Sequence, residues 1–241
     1  MAGDPAMIHL SKVTKISAGK TALREATMLL PKGSYASLKV DNETTGIALL
    51  RLLMGYEKPD RGTVRINDID ITRLAQTRVP FLRRNVGLLE YKPNLAGNRT
   101  VVENLAMPLQ IAGFNRKAMN ERIADKLEQA GLEEQASAIV QKLNESTQRL
   151  LACARATIHH PQTILADNPD AGVSSEHRER IFKMIEAANN GGSTVLLITG
   201  DVHSRAFTHT LNAYKGTLIQ DQHKKQSQHH SRKRSLPNGM V

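Results

Sequence analysis

Residues 33–55, GSYASLKVDNETTGIALLRLLMG, read as an apolar strand, a turn and an apolar helix, the setting in which a phosphate-binding loop works. Such a loop has the pattern GxxxxGK[ST]. Its glycines let backbone N–H groups close around phosphate, its Lys supplies charge, and its hydroxyl reaches Mg²⁺. The junction here consists of Val40, Asp41, Asn42, Glu43, Thr44, Thr45, Gly46, Ile47 and Ala48. Val40 and Thr45 stand where the pattern has glycine, Gly46 where it has Lys, and Ile47 where it has the hydroxyl. Glu43 and Thr45 resist the positive φ that glycine adopts freely. Asp41 and Glu43 place negative charge where phosphate would lie. The helix dipole is worth only about 0.3–1 kcal/mol to an exposed anion, which two carboxylates offset. The loop therefore predicts that no cofactor and no metal is held here, and it turns attention from a reaction to a partner.

The flanking pattern predicts the elements that position this junction. Strands are expected at 7–13, 26–30, 35–40, 63–66, 86–89, 163–166 and 194–198, most of them short and aliphatic. Helices are expected at 48–54, closed by Gly55, and at 101–111, 115–131, 136–140, 143–159 and 174–188. Strands alternating with helices indicate an α/β fold with a mainly parallel sheet. The helices from about 98 to 160 interrupt the alternation and predict a helical subdomain.

Composition bounds the rest. At 241 residues and 40% hydrophobic content the chain can build one domain with a sizeable core. Aromatics make up 3% and Trp is absent, so that core must be aliphatic. The single Cys153 lies in the apolar run LLACARA, excludes an internal disulfide and reads as a small buried hydrophobe. No signal peptide and no apolar run of about 18 residues is visible. That predicts a cytoplasmic protein, peripheral to any membrane it meets. Of the net charge of +10, Lys224, Lys225, Arg232, Lys233 and Arg234 lie in residues 222–241, which carry no acid. This basic tail is expected to be disordered and suited to anionic lipid, at about 1 kcal/mol per basic residue near the surface, or to nucleic acid. The core carries no nucleic-acid motif, which ranks that partner last.

Several segments together resemble the ABC-type ATPases, and more narrowly the FtsE family of the bacterial cell-division system. They are YEKPDRGTVRINDIDITRL (56–74), VPFLRRNVGLL (79–89), RTVVENLAMPLQIAG (99–113), CARATIHHPQTILAD (153–167) and STVLLITGD (193–201). The similarity runs over 7–215. It implies an ABC-ATPase core of mainly parallel sheet, an N-terminal antiparallel β part and a helical subdomain, all within residues 7–221.

The resemblance also assigns positions. Ser17 matches the residue that stacks on adenine, and offers no ring. Tyr91 matches the Gln that senses Mg²⁺. Residues 143–147, LNEST, match the LSGGE signature, with Glu145 and Ser146 in place of glycines. Asp167 matches the Mg²⁺-holding carboxylate and is read as vestigial. Asn168 matches the Glu that polarises water, and an amide is no base at pH 7. Residues 171–175 match the D-loop without its Asp. Gly200 matches the switch His, and His203 reads as a surface residue.

Read this way, the chain is expected to be an inactive ATPase homologue, a scaffold or regulator for an FtsX-like membrane protein. The alternatives are an ABC ATPase that binds or hydrolyses ATP weakly with Mg²⁺, and a lipid or nucleic-acid binder acting through the tail. A homodimer or a pairing with a competent paralogue is the expected assembly. The family's groove between core and helical subdomain receives a cytosolic helix, and Tyr91, Asn94, Leu95, Val102 and Leu105 are the expected partner-binding residues.

Overall fold

The computed structural model describes residues 6–199 and 206–221. Period-two alternation sets the first sheet. In β1 (Ala6–Ser17) Ile8, Leu10 and Val13 are buried, and in β2 (Lys20–Pro31) Leu23, Ala26, Met28 and Leu30 face them. Both strands outrun the predicted 7–13 and 26–30. Lys12 and Glu25 take positive φ of 48° and 45° where the register shifts, so bulges carry the pairing past positions that break the apolar alternation. With β4 (Arg61–Ile66) and β5 (Ile69–Asp70) these strands make an antiparallel sheet in the order β2-β1-β4-β5.

The second sheet has the order β10-β9-β3-β8-β7-β6. Its strands are β3 (Tyr35–Val40), β6 (Val86–Leu89), β7 (Thr163–Asp167), β8 (Thr194–Thr199), β9 (His209–Tyr214) and β10 (Thr217–Asp221). From β9 to β6 every pairing is parallel, and β10 closes the edge antiparallel to β9. Strands buried on both faces must be continuously aliphatic, and TVLLIT of β8 is buried at all six positions. The expected α/β fold, with its mainly parallel sheet and antiparallel N-terminal part, is the observed one. The β9–β10 hairpin is an addition. Lys215 and Gly216 both take positive φ, 49° and 81°, at its two-residue turn.

Six helices complete the fold among the described residues: α1 (Glu43–Leu53), α2 (Val79–Arg83), α3 (Val101–Ile111), α4 (Arg116–Ala130), α5 (Glu145–Thr157) and α6 (Ser175–Asn190). One core lies between the antiparallel sheet, α1 and the parallel sheet, and a second between the parallel sheet and α3 to α6. Gly87 in β6 permits a close approach of strand to helix, because a Cβ there would lie 2.1 Å from the Ala156 carbonyl oxygen of α5.

The helix expected at 136–140 is replaced by an irregular segment. Val101 and Val102 donate their backbone N–H groups to the carbonyls of Ala138 and Ala136. The first-turn donors of α3 have no partner within the helix, and the segment supplies them. The capping box of Thr100 with Glu103 completes that terminus.

Candidate functional site

Parallel strands open their carboxyl ends at one edge, where α/β proteins place ligands. Val40, Leu89 and Asp167 end β3, β6 and β7, and the chain beyond each lines a cleft of about 330 Å³. Its walls are Val40, Asp41, Asn42, Glu43, Gly46, Ile47, Tyr91, Asp167, Asn168 and Ala171. Six of the nine expected loop residues thus meet Tyr91, Asp167 and Asn168 in one place, while Thr44, Thr45 and Ala48 do not line the cleft. Ser17 and the LNEST segment do not line it. Gly200, Asp201, His203 and the basic tail lie outside the described residues.

The loop is closed by its own side chains. Asn42 caps α1, and its Oδ1 accepts from the Thr45 N–H at 2.9 Å. Thr45 is fully buried and donates its hydroxyl to the Ala22 carbonyl at 3.0 Å. Asp41 accepts from Asn42 Nδ2 at 2.8 Å and, through its other oxygen, from the Lys215 N–H at 2.7 Å. Gly46 faces the sheet, and a Cβ at this position would lie 3.0 Å from Ile198 Cγ2. Ile47 is exposed at the cleft wall.

Carboxylates dominate the electrostatics. Burial pushes the Asp167 carboxyl above its ordinary value. The hydrogen bond from Asn168 Nδ2 at 2.8 Å and the charge of Arg149 pull it down, while Glu43 pushes it up. Glu90, unremarked in the sequence, is raised by burial, lowered by Arg155 and raised again by Asp167. Its signal was a lone carboxylate ending the apolar strand VGLL. Asn168 takes a positive φ of 43° and its N–H donates to the Ile198 carbonyl at 2.8 Å. Tyr91 is exposed, with the Arg149 guanidinium 4.8 Å from its ring centre.

LNEST belongs to another junction. Asn144 caps α5 by accepting from the Thr147 N–H at 2.9 Å. Ser146 Oγ lies 2.7 Å from His177 Nδ1 on α6 and accepts from the Ser174 N–H at 3.2 Å.

A separate groove of about 410 Å³ runs between α2 and β6 on one side and α3 and the end of α5 on the other. Met107, Pro108 and Ile111 give it an apolar wall, and Arg83, Arg84 and Arg155 charge it. His159 also lines it, and burial, with His160 adding, pushes its imidazole down to about 4, so it is neutral at pH 7. Of the expected partner-binding residues, Tyr91 and Asn94 are exposed. Leu95 and Val102 are partly buried against the helical core. Leu105 is corrected: it is wholly buried, packs in that core and presents no face to a partner.

The family model described as "ABC transporter" matches residues 48–171. The "Cell division ATP-binding protein FtsE" of Haemophilus influenzae is 38% identical over 199 residues, which cover 82% of this chain and 91% of that protein. The chain belongs to the ABC transporter family. The Escherichia coli K12 FtsE is 33% identical over 82% of the cassette and 89% of its own length. Among solved structures, the ATP-binding cassette MJ0796, in a dimeric post-hydrolysis state bound to ADP and Pi, superposes with a TM-score of 0.80 at 25% identity. That match covers 89% of this cassette and 98% of MJ0796.

These relatives correct two expectations. An inactive homologue without a cofactor does not follow, because the relatives are ATP-binding proteins by name and one of them is captured with ADP and Pi. The cleft differs from a phosphate loop all the same. No residue from 40 to 48 is a Lys, and the Thr45 N–H is already bonded to Asn42. These residues do not fit a triphosphate in the manner of GxxxxGK[ST], and no hydrolytic step is assigned to them.

Proposed function

We propose that the chain is an FtsE-like ABC ATPase subunit that works in bacterial cell division beneath an FtsX-like integral membrane protein, at the inner face of the cell membrane. The observation that carries this reading is the 38% identity to an FtsE protein across 82% of this chain and 91% of that one. Residues 7–221 act as the cassette in this reading, with 98–160 as its helical subdomain. No helix among the described residues is long and apolar enough to cross a membrane, so membrane attachment through a partner is consistent with the architecture.

The groove beside α3 supports a docked helix. Met107 and Ile111 are exposed apolar side chains on its wall, and Tyr91 and Asn94 lie on the strand-end loop nearby in sequence. Co-expression with a neighbouring-gene membrane protein followed by affinity capture tests the docking. Met107→Asp and Ile111→Asp should each abolish co-purification, and recovery of the complex with both variants would sink the groove as the dock.

Mg-ATP is engaged weakly in this reading, since no Lys in the cleft offsets Asp41, Glu43 and Asp167. Titration calorimetry should show saturable Mg-ATP binding with Kd no weaker than about 1 mM, roughly −4 kcal/mol. The absence of heat at several times that concentration would overturn the nucleotide part alone. Pairing with a second copy or a competent paralogue is the assembly such a cassette is expected to use, and light scattering with and without Mg-ATP measures it.

A further inference from the structure

Residues 71–89 contain Arg73, Arg78, Arg83 and Arg84 and no acid. Their centre is α2 with the turn before it. Phe81 is half exposed on α2, with the Arg84 guanidinium 4.9 Å and the Arg78 guanidinium 5.8 Å from its ring centre. Arg83 lies 4.0 Å from the ring centre of Tyr56, also nearly half exposed, and donates to the Met54 carbonyl at 3.0 Å. None of Arg78, Arg83 and Arg84 forms an ion pair among the described residues. Pro80 is exposed beside them.

Exposed apolar side chains ringed by unpaired guanidinium groups form the chemistry of an interface with anionic lipid. The rings and aliphatic chains enter the headgroup boundary while the cations remain at phosphate level. We infer that the α2 face, centred on Phe81 with Arg78 and Arg84, contacts an anionic phospholipid bilayer directly, independently of any membrane protein. A nucleic acid fits less well, because the exposed rings of Phe81 and Tyr56 already carry the guanidinium groups of Arg84 and Arg83, 4.9 Å and 4.0 Å from their centres, where a base would stack.

The test uses the full chain and protein-free vesicles, so its outcome does not depend on the FtsE-like reading. Co-sedimentation compares phosphatidylcholine vesicles with vesicles that also contain phosphatidylglycerol. Binding should need the anionic lipid and fall as salt shortens the Debye length below about 8 Å. The double variant Arg78→Glu/Arg84→Glu should weaken partition at least about tenfold, and Arg78→Lys/Arg84→Lys should retain it. Phe81→Ser should weaken it without changing the net charge. A full chain with Lys224, Lys225, Arg232, Lys233 and Arg234 all changed to Ala should still bind. Loss with that tail variant and retention with the face variants would overturn the inference. So would equal binding to neutral vesicles, or face variants that keep the vesicles and lose only a co-expressed membrane protein. A parallel shift assay with duplex DNA in which the face variants lose DNA and lipid alike would assign the face to nucleic acid and overturn it as well.

Discussion

Asp167 shows what burial does to a single carboxylate. Its pKa is raised, chiefly by burial, so the folded state holds that proton more tightly than the unfolded chain does. The sign follows: ionised Asp167 subtracts from stability at neutral pH, and the penalty vanishes as pH falls through its raised pKa. Asp167→Asn should therefore raise Tm at pH 7, and the gain should shrink steadily toward acid. A gain independent of pH in thermal melts would rule out this account. Gly46 makes a second case. Ala at a helical Gly gains about 1 kcal/mol of propensity, but its Cβ would lie 3.0 Å from Ile198 Cγ2. Gly46→Ala should leave Tm near its starting value alone and raise it in an Ile198→Ala background, with a coupling of about 0.5–1 kcal/mol in a double-mutant cycle. Simple additivity would show that Ile198 is not the obstacle. The residue types of the loop were legible in the sequence. Its closure was not, because the bonds of Asn42 to Thr45 and of Thr45 to Ala22 depend on how β2 passes behind α1.

Helix and strand identity follow local signals where those signals are strong. The predicted 101–111 and 86–89 coincide with α3 and β6, the first opened by a Thr-x-x-Glu box and the second wholly aliphatic. The same box gives a stability prediction. Thr100→Ala should cost about 1 kcal/mol in chemical denaturation, since it removes the acceptor for the Glu103 N–H at 3.1 Å. Local signals failed where a distant element decides. Residues 136–140 have helical composition, but two of their carbonyls serve the start of α3. The β9–β10 hairpin has polar residues between its apolar ones and became a pair of strands through its place beside β3. Gly87 marks a tight strand–helix approach. Gly87→Ala should unfold the protein or lower Tm steeply, because the Ala156 backbone oxygen stands 2.1 Å from the added carbon. A melt within a few degrees of the parent would show that α5 can move aside.

At the scale of the whole molecule, the resemblance carried in five segments foretold both sheets and the cassette fold, because buried aliphatic strands and their spacing define the architecture. The site was half legible. The loop, Tyr91, Asp167 and Asn168 do converge. Glu90 was missed, since a carboxylate becomes notable only when its neighbours are known. Activity was misjudged from single positions: family membership comes from the whole chain, whereas the loop reports only its own chemistry. The basic face on α2 was also hidden, because Arg78 and Arg84 converge on Phe81 only once the turn before α2 is formed.

The bond from the Lys215 N–H to Asp41 joins residues 174 positions apart, and β3 is sandwiched between β8 and β9, both from the last fifth of the described chain. During synthesis the loop at 40–48 therefore emerges long before either strand that flanks β3. Until β8 arrives, β3 has two open hydrogen-bonding edges, and until the hairpin arrives it keeps one. The segment made among the first is among the last to be finished, and a nascent chain halted before residue 209 carries a central strand without a neighbour on one side.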